Sequence, residues 1–289
     1  MNILSKISKS ITSSVENLIE DAQTPKTVGI CLGGGGALGY AHIGVLQALE
    51  DLDIYPQIIS GSSMGAIIGS LYAAGITPQQ MLQFIKEDKL YRISKLISIN
   101  PKFWERSGLI NNTNLKSLFK QLIPENSFDK LKRPLYICVS NLSTGESNIV
   151  YEGDNLNSWI VASSAIPGVF NAVEIKGNIY ADGGLFNNMP VHPLKERCDV
   201  IIGSDVLPYD IIKKDLKIKD AFAAAIRAVE ARNSDEGRSL CDFLIEPKGI
   251  EKYHEFSFEF YMEIYQYGYS EVTKFVTNHP EILKLKSGK

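Results

Sequence analysis

No stretch of this 289-residue sequence approaches the roughly 20 consecutive apolar residues that a membrane-spanning helix requires, so any contact with a bilayer would be peripheral. Neither sign of charge dominates. With 30 basic and 33 acidic residues the net charge is -3, which leaves no field directed at nucleic acid and excludes it as the expected partner. Cysteine is scarce: Cys31, Cys138, Cys198 and Cys241 each sit in or beside an apolar strand-like run and form no C-x-x-C pair. They read as buried free thiols, which suits a reducing compartment. Metal-ligand clusters, internal repeats and low-complexity tracts are missing too, so no metal or cofactor is expected. The first residues lack a signal peptide's uninterrupted apolar core, because Lys6, Ser8, Lys9 and Ser10 break up Ile3, Leu4, Ile7 and Ile11. A cytoplasmic protein is the resulting expectation. With 44% hydrophobic and 22% charged residues, the composition is that of an ordinary globular chain, read as one α/β domain.

Against these absences stand two glycine-framed segments, each following a short apolar run and opening a helical pattern. The first is Gly33-Gly34-Gly35-Gly36-Ala37-Leu38-Gly39, and the second is Gly61-Ser62-Ser63-Met64-Gly65. The second matches G-x-S-x-G, in which glycines let a strand turn sharply into a helix and leave the serine oxygen exposed. The first supplies closely spaced backbone N–H groups with no side chains to block them, which suits an oxyanion forming beside that serine. A third element, Tyr180-Ala181-Asp182-Gly183-Gly184, follows the strand-like Ile175 to Tyr180 and offers a carboxylate.

In this order the three motifs resemble the patatin-like phospholipase family, with its glycine-rich oxyanion loop, G-x-S-x-G nucleophile and D-G-G or D-G-A dyad partner. The connecting segments Ala41 to Leu46, Ser164 to Phe170 and Gly184 to Val191 are similar to that family as well, so the resemblance runs from about residue 26 to about residue 206. It implies a three-layer α/β fold with a mainly parallel central sheet covered by helices. It also implies hydrolysis of a lipid or other carboxylic ester: Ser63 as nucleophile, Asp182 as the base accepting its proton, and an oxyanion site formed by the N–H groups of Gly34, Gly35 and Gly36 with Met64. Gly39, Gly61, Gly65, Gly183 and Gly184 support these motifs. One position departs from the pattern. Leu38 stands where the family usually carries arginine or lysine, which leads us to expect a working but slower enzyme. A lipid acyltransferase and a silent lipid-binding regulator remain alternatives.

Two rival readings concern the same residues. Gly34 to Gly39 also fits the dinucleotide fingerprint G-x-G-x-x-G, but that motif expects an acidic residue at the end of the second strand, which here runs straight into Gly61. Among four histidines, His192 follows Asp182 by ten residues and completes the order Ser, Asp, His of a triad, although its proline neighbours suit a loop better than a positioned base.

Residues 1 to 24 carry apolar side chains at helical spacing and read as an amphipathic helix, ahead of a hydrolase domain at 25 to 275 and a tail at 276 to 289. From Thr27 the pattern alternates strand and helix, giving about six strands. Residues 89 to 133 interrupt it and read as a cap, either walling an acyl pocket or forming a surface insertion. Aromatic residues crowd 256 to 269, with Phe258, Tyr265, Tyr269 and Val272 near one face, as core packing or as an interfacial docking surface. Oligomeric state is not legible in the chain.

Overall fold

The computed structural model describes residues 26–87, 113–207 and 218–286. The expected helix at 1–24 and the first part of the expected cap, 89–112, lie outside the described residues.

Among the described residues, eight strands form one sheet: β1 (Val28–Leu32), β2 (Ile58–Ser62), β3 (Leu135–Asn141), β4 (Glu146–Val150), β5 (Val173–Ile175), β6 (Asn178–Ala181), β7 (Val200–Ser204) and β8 (Phe243–Ile245). Their order is β5-β6-β3-β2-β1-β7-β8, with β4 paired to β3. The pairs among β3, β2, β1, β7 and β8 are parallel, while β4, β5 and β6 join antiparallel. The central strands are apolar on both faces, as strands covered from both sides must be. Val28, Ile30 and Leu32 enter the main core, while Cys31 faces a thinner layer with Tyr136, Met189, Val191, Leu194 and Ile201.

On the main-core side lie α1 (Tyr40–Asp51), α2 (Met64–Ala73), α3 (Pro78–Lys86), α4 (Thr113–Leu122), α5 (Leu156–Ser163) and the long α9 (Tyr261–Asn278). The short α6 (His192–Lys195) and α8 (Asp235–Leu240) cover the other side, and α7 (Ile218–Arg232) reaches the loop after β6. Every residue of α1 from Tyr40 to Leu49 is buried, because the helix is enclosed by the sheet and α9. Local signals set other boundaries: the Thr77 hydroxyl and the Gln80 side chain cap α3 reciprocally, with Pro78 at its first position.

The structure departs from the sequence reading in three places. The single strand expected at Ile175 to Tyr180 is a hairpin, because Lys176 (φ 51°) and Gly177 (φ 79°) both take left-handed backbone and form a two-residue turn. The hairpin gives a seventh strand and β8 an eighth. β2 extends to Ser62: Gly61 pairs with both β1 and β3, and β3 carries the pairing on to Ser62. Residues 276 to 289, read as a tail, begin inside α9, and the turn at Pro280–Leu285 buries Ile282 and Leu285 in the main core. The described end of the expected cap also packs inward, through Leu115, Phe119 and Ile123.

The aromatic stretch near the C-terminus serves packing. Tyr265 and Val272 are buried on α9, Phe258 is buried in the turn before it, and the Tyr269 hydroxyl donates to Asp51 at 2.9 Å. The helices approach so closely that a Cβ on Gly44 would lie 2.1 Å from the Tyr265 carbonyl oxygen, and one on Gly268 would lie 2.0 Å from that of Ala41. Backbone cannot yield as a side chain can. Gly268→Ala is therefore expected to destabilise the protein by about 1–3 kcal/mol, read as a lowered midpoint in thermal denaturation. Thr273→Ala, on the exposed side of α9, should change it little.

Candidate active site

The strand register explains how Ser63 and Asp182 meet. β4 pairs with β3 over Ile137 to Asn141, so β2 (to Cys138) and β6 (at Ser140 and Asn141) must share the opposite edge of β3. β2 runs parallel to β3 and β6 antiparallel, so their ends point at each other across Val139. Ser63 and Asp182 are the next residues of the two chains. The Ser63 hydroxyl donates to Asp182 Oδ2 at 2.6 Å.

Ser63 sits at φ 52° and ψ -125°, a backbone state that non-glycine residues rarely adopt and that costs about 1–3 kcal/mol. Contacts on both sides hold it there. Its N–H donates to the Ser163 hydroxyl at 3.0 Å, which donates in turn to the Cys138 carbonyl at 2.7 Å. Gly61 and Gly65 allow the close crossing: a Cβ on Gly65 would lie 2.0 Å from the Leu32 carbonyl oxygen. Met64 opens α2, so its N–H belongs to the helix's unpaired first turn and carries the positive end of the dipole.

Asp182 has no solvent exposure. Its Oδ1 accepts the N–H of Gly184 at 2.9 Å, and its own N–H donates to the Ala165 carbonyl. Burial pushes its carboxyl up from an ordinary 3.8 to about 7, against the two hydrogen bonds from Ser63 and Gly184 that favour the charged form. Gly183 packs against the Cys138 carbonyl and Ser62, which draws the aspartate loop onto β3.

The glycine loop lies beside the serine. A Cβ on Gly34 would come within 3.0 Å of Ser63 Cβ. The Gly34 N–H donates to Asn188 Oδ1 at 3.0 Å, and Asn188 is fixed by its own bond to the Ser234 hydroxyl. Gly35 (φ 159°) and Gly36 (φ 55°) follow, with Gly36 against the Glu255 carbonyl that accepts the Ala37 N–H at 2.8 Å. Leu38 is fully buried in the main core, and Gly39 lies against Met64.

No histidine stands between serine and aspartate. His42, fully buried, contacts the Gly33 carbonyl through Nε2 and the Ser204 hydroxyl through Nδ1, each at 2.8 Å. A carbonyl can only accept, so Nε2 carries the proton and Nδ1 takes the serine's; burial lowers the pKa to about 4 and keeps the ring neutral. His42 thus pins the start of the glycine loop. His192 opens a one-turn helix at the surface and pairs with Glu236 at 2.9 Å. Among the described residues no group of His, Cys, Asp and Glu could hold a metal ion, and no helix is long and apolar enough to cross a membrane.

Ser163, Asn188 and His42 escaped the sequence reading as positioning groups. Asn188 lay within a segment already similar to the family, yet its bond to Gly34 spans 154 residues and leaves no local pattern.

The family description that matches this chain is patatin-like phospholipase, over residues 30–195, more than half of its length. An uncharacterized NTE family protein of Mycobacterium tuberculosis is 30% identical over 176 residues, which is 61% of this chain and 47% of that protein. Lysophospholipase NTE1 of Kluyveromyces lactis is 25% identical over 281 residues, 85% of this chain and 19% of that protein. The chain thus spans about half or less of the curated relatives it matches. Its fold is similar to that of VipD from Legionella pneumophila, with a TM-score of 0.50 and 16% identity, covering 89% of this chain and 67% of that one. With the match extending from β1 through the glycine loop, Ser63 and Asp182 to the end of α6, the chain belongs to the patatin-like phospholipase family.

Proposed function

We propose that this protein is a lipid acyl hydrolase that cleaves carboxylic esters of phospholipids or lysophospholipids through an acyl-Ser63 intermediate, with Asp182 as the base. The observation that carries the reading is the 2.6 Å hydrogen bond from the Ser63 hydroxyl to a fully buried carboxyl. A serine hydroxyl is a weak nucleophile, and a carboxylate at the ordinary pKa is a weak base. Burial raises the basicity of Asp182 toward neutrality, into the range of a working general base.

In this reaction Asp182 takes the proton as Ser63 Oγ attacks the ester carbonyl, then gives it to the leaving alcohol. In the second half it takes a proton from the water that attacks the acyl carbonyl and returns it to Ser63 Oγ as the acid leaves. The tetrahedral oxyanion is met by the N–H groups of Gly35 and Gly36 with that of Met64 at the start of α2. Gly34, whose N–H is held by Asn188, shapes the loop. Support for a lipid substrate comes from the family and from the lysophospholipase of Kluyveromyces lactis. The proposal extends to a cytoplasmic protein meeting its substrate peripherally at a membrane, and four free cysteines suit that compartment.

Ser63→Ala is expected to abolish ester hydrolysis and fluorophosphonate labelling in a folded protein, with Asp182→Asn nearly as inactive and His192→Ala close to wild type. Parallel assays on a lipid panel, with and without an acceptor alcohol, separate hydrolysis from acyl transfer. Full activity of Ser63→Ala would sink the assignment.

The Asp182 carboxyl also sets a pH dependence. Hydrolysis of a soluble ester should rise with pH and level off above about 7, as the base loses its proton. Stability runs the other way. Between about 4 and 7 the folded state holds a proton that the unfolded chain has released, so the stability this group contributes is complete below 4 and lost as pH rises to about 7. Asp182→Asn should therefore gain in melting temperature relative to wild type across that window and hold a constant advantage above it.

Leu38→Arg would place a guanidinium within the apolar packing around α1. We expect a loss of several kcal/mol in stability and no gain in turnover, measured on one ester beside wild type. A faster, equally stable variant would show that a charge there can reach the oxyanion loop.

A further inference from the structure

Outside the dyad, α7 brings a second set of ionisable groups to the same loops. Arg227 is only 9% exposed, and its Nη1 pairs with Glu255 Oε2 at 3.1 Å. Its Nη2 is buried and has no hydrogen-bond partner among the described residues. A guanidinium cannot shed its charge, so a buried donor left in this state costs free energy that an acceptor would recover. Glu255 ties Arg227 to the oxyanion loop, because its carbonyl accepts the Ala37 N–H and lies against Gly36. One helical turn further along α7, Glu230 approaches the aspartate loop, its Cγ 3.1 Å from the place a Cβ on Gly184 would occupy. Arg227 and Glu230 therefore stand between the two loops that hold the reacting groups.

We propose that Arg227 and Glu230 form a subsite beside the dyad that receives the phosphate of a single-chain lysophospholipid, orienting its headgroup while the ester carbonyl lies at Ser63. The inference rests on the hydrolase reading above. Arg227 Nη2 supplies the charged donor. Burial, together with the neighbouring Asp182 and Glu255 carboxylates, pushes Glu230 well above its usual range against the opposing charge of Arg227, which favours the protonated form that can offer an O–H. The Arg227 N–H, joined by an O–H where Glu230 is protonated, matches the two non-bridging oxygens of a phosphodiester. A neutral glycerol ester has no group that needs them.

The test compares octanoyl lysophosphatidylcholine with monooctanoylglycerol, which share acyl chain and leaving oxygen, each below its micellar concentration. The readout is the ratio of their kcat/KM values. In Arg227→Gln this ratio should fall at least about tenfold, mainly through KM for the phosphate ester, as expected for a lost hydrogen bond to a charged group, and Arg227→Lys should restore part of it. A ratio within about twofold of wild type would overturn the subsite, because a packing role would depress both substrates alike. If Arg227→Gln does not fold, wild type decides by binding: the ether analogue octyl-glycerophosphocholine should bind at least about tenfold tighter than octylglycerol, and equal affinities would overturn the proposal. That binding arm also stands if wild type hydrolyses neither ester and takes no fluorophosphonate label, an outcome that sinks the hydrolase reading instead. Inorganic phosphate is the remaining arm. Binding of phosphate as tight as that of octyl-glycerophosphocholine, and equally dependent on Arg227, would reassign the site to free phosphate and overturn the headgroup assignment.

Discussion

A carboxyl group sealed from water must either keep its proton or be met by donors, and Asp182 is built to alternate between the two. The Ser63 hydroxyl and the Gly184 N–H favour its charged form, while burial favours the neutral one. In the proposed mechanism that balance takes the place of the histidine found in most serine hydrolases. It also sets demands on the surroundings: the aspartate loop must lie tight on β3, the serine must hold a strained backbone, and nothing larger than hydrogen can occupy Gly183, whose added Cβ would lie 2.3 Å from the Cys138 carbonyl oxygen. The layers of helices serve this arrangement by keeping water out and the strand ends fixed.

The parts legible in the sequence were those whose physics is local. Glycine spacing around Ser63 and the glycine run from Gly33 each follow an apolar strand and open a helix, and the structure places them so. What escaped reading acts across distance. Ser163 steadies Ser63 from 100 residues away, and Arg227 on α7 pairs with Glu255 in a turn 28 residues on. The hairpin at Lys176 and Gly177 was hidden because alternating residues on either side of the turn continue one strand-like pattern. β2 was read short because Gly61 and Ser62 look like turn residues, and neighbouring strands overrule that preference.

Leu38 illustrates how position within a motif and environment can disagree. The motif alone suggests a place for a charge at the loop, but the side chain points into the packed core and is fully covered. Support for the loop comes instead from uncharged contacts. The neutral His42 ring holds the Gly33 carbonyl, and Asn188 holds the Gly34 N–H. Such bonds fix the backbone geometry of the loop without adding a charge.

The head-to-head meeting of β2 and β6 on one edge of β3 has a consequence for the order in which the molecule assembles. Ser63 and Asp182 are 119 residues apart, and no shorter segment contains both. The parallel ladders of β1, β2 and β3 can form without β6, but the carboxyl arrives only when the hairpin docks antiparallel beyond the end of β2. Closing so long a loop is entropically slow relative to local contacts. A chain emerging from the ribosome would therefore expose Ser63 long before Asp182 can dock against it, and the two groups meet only once the hairpin closes along the edge of β3.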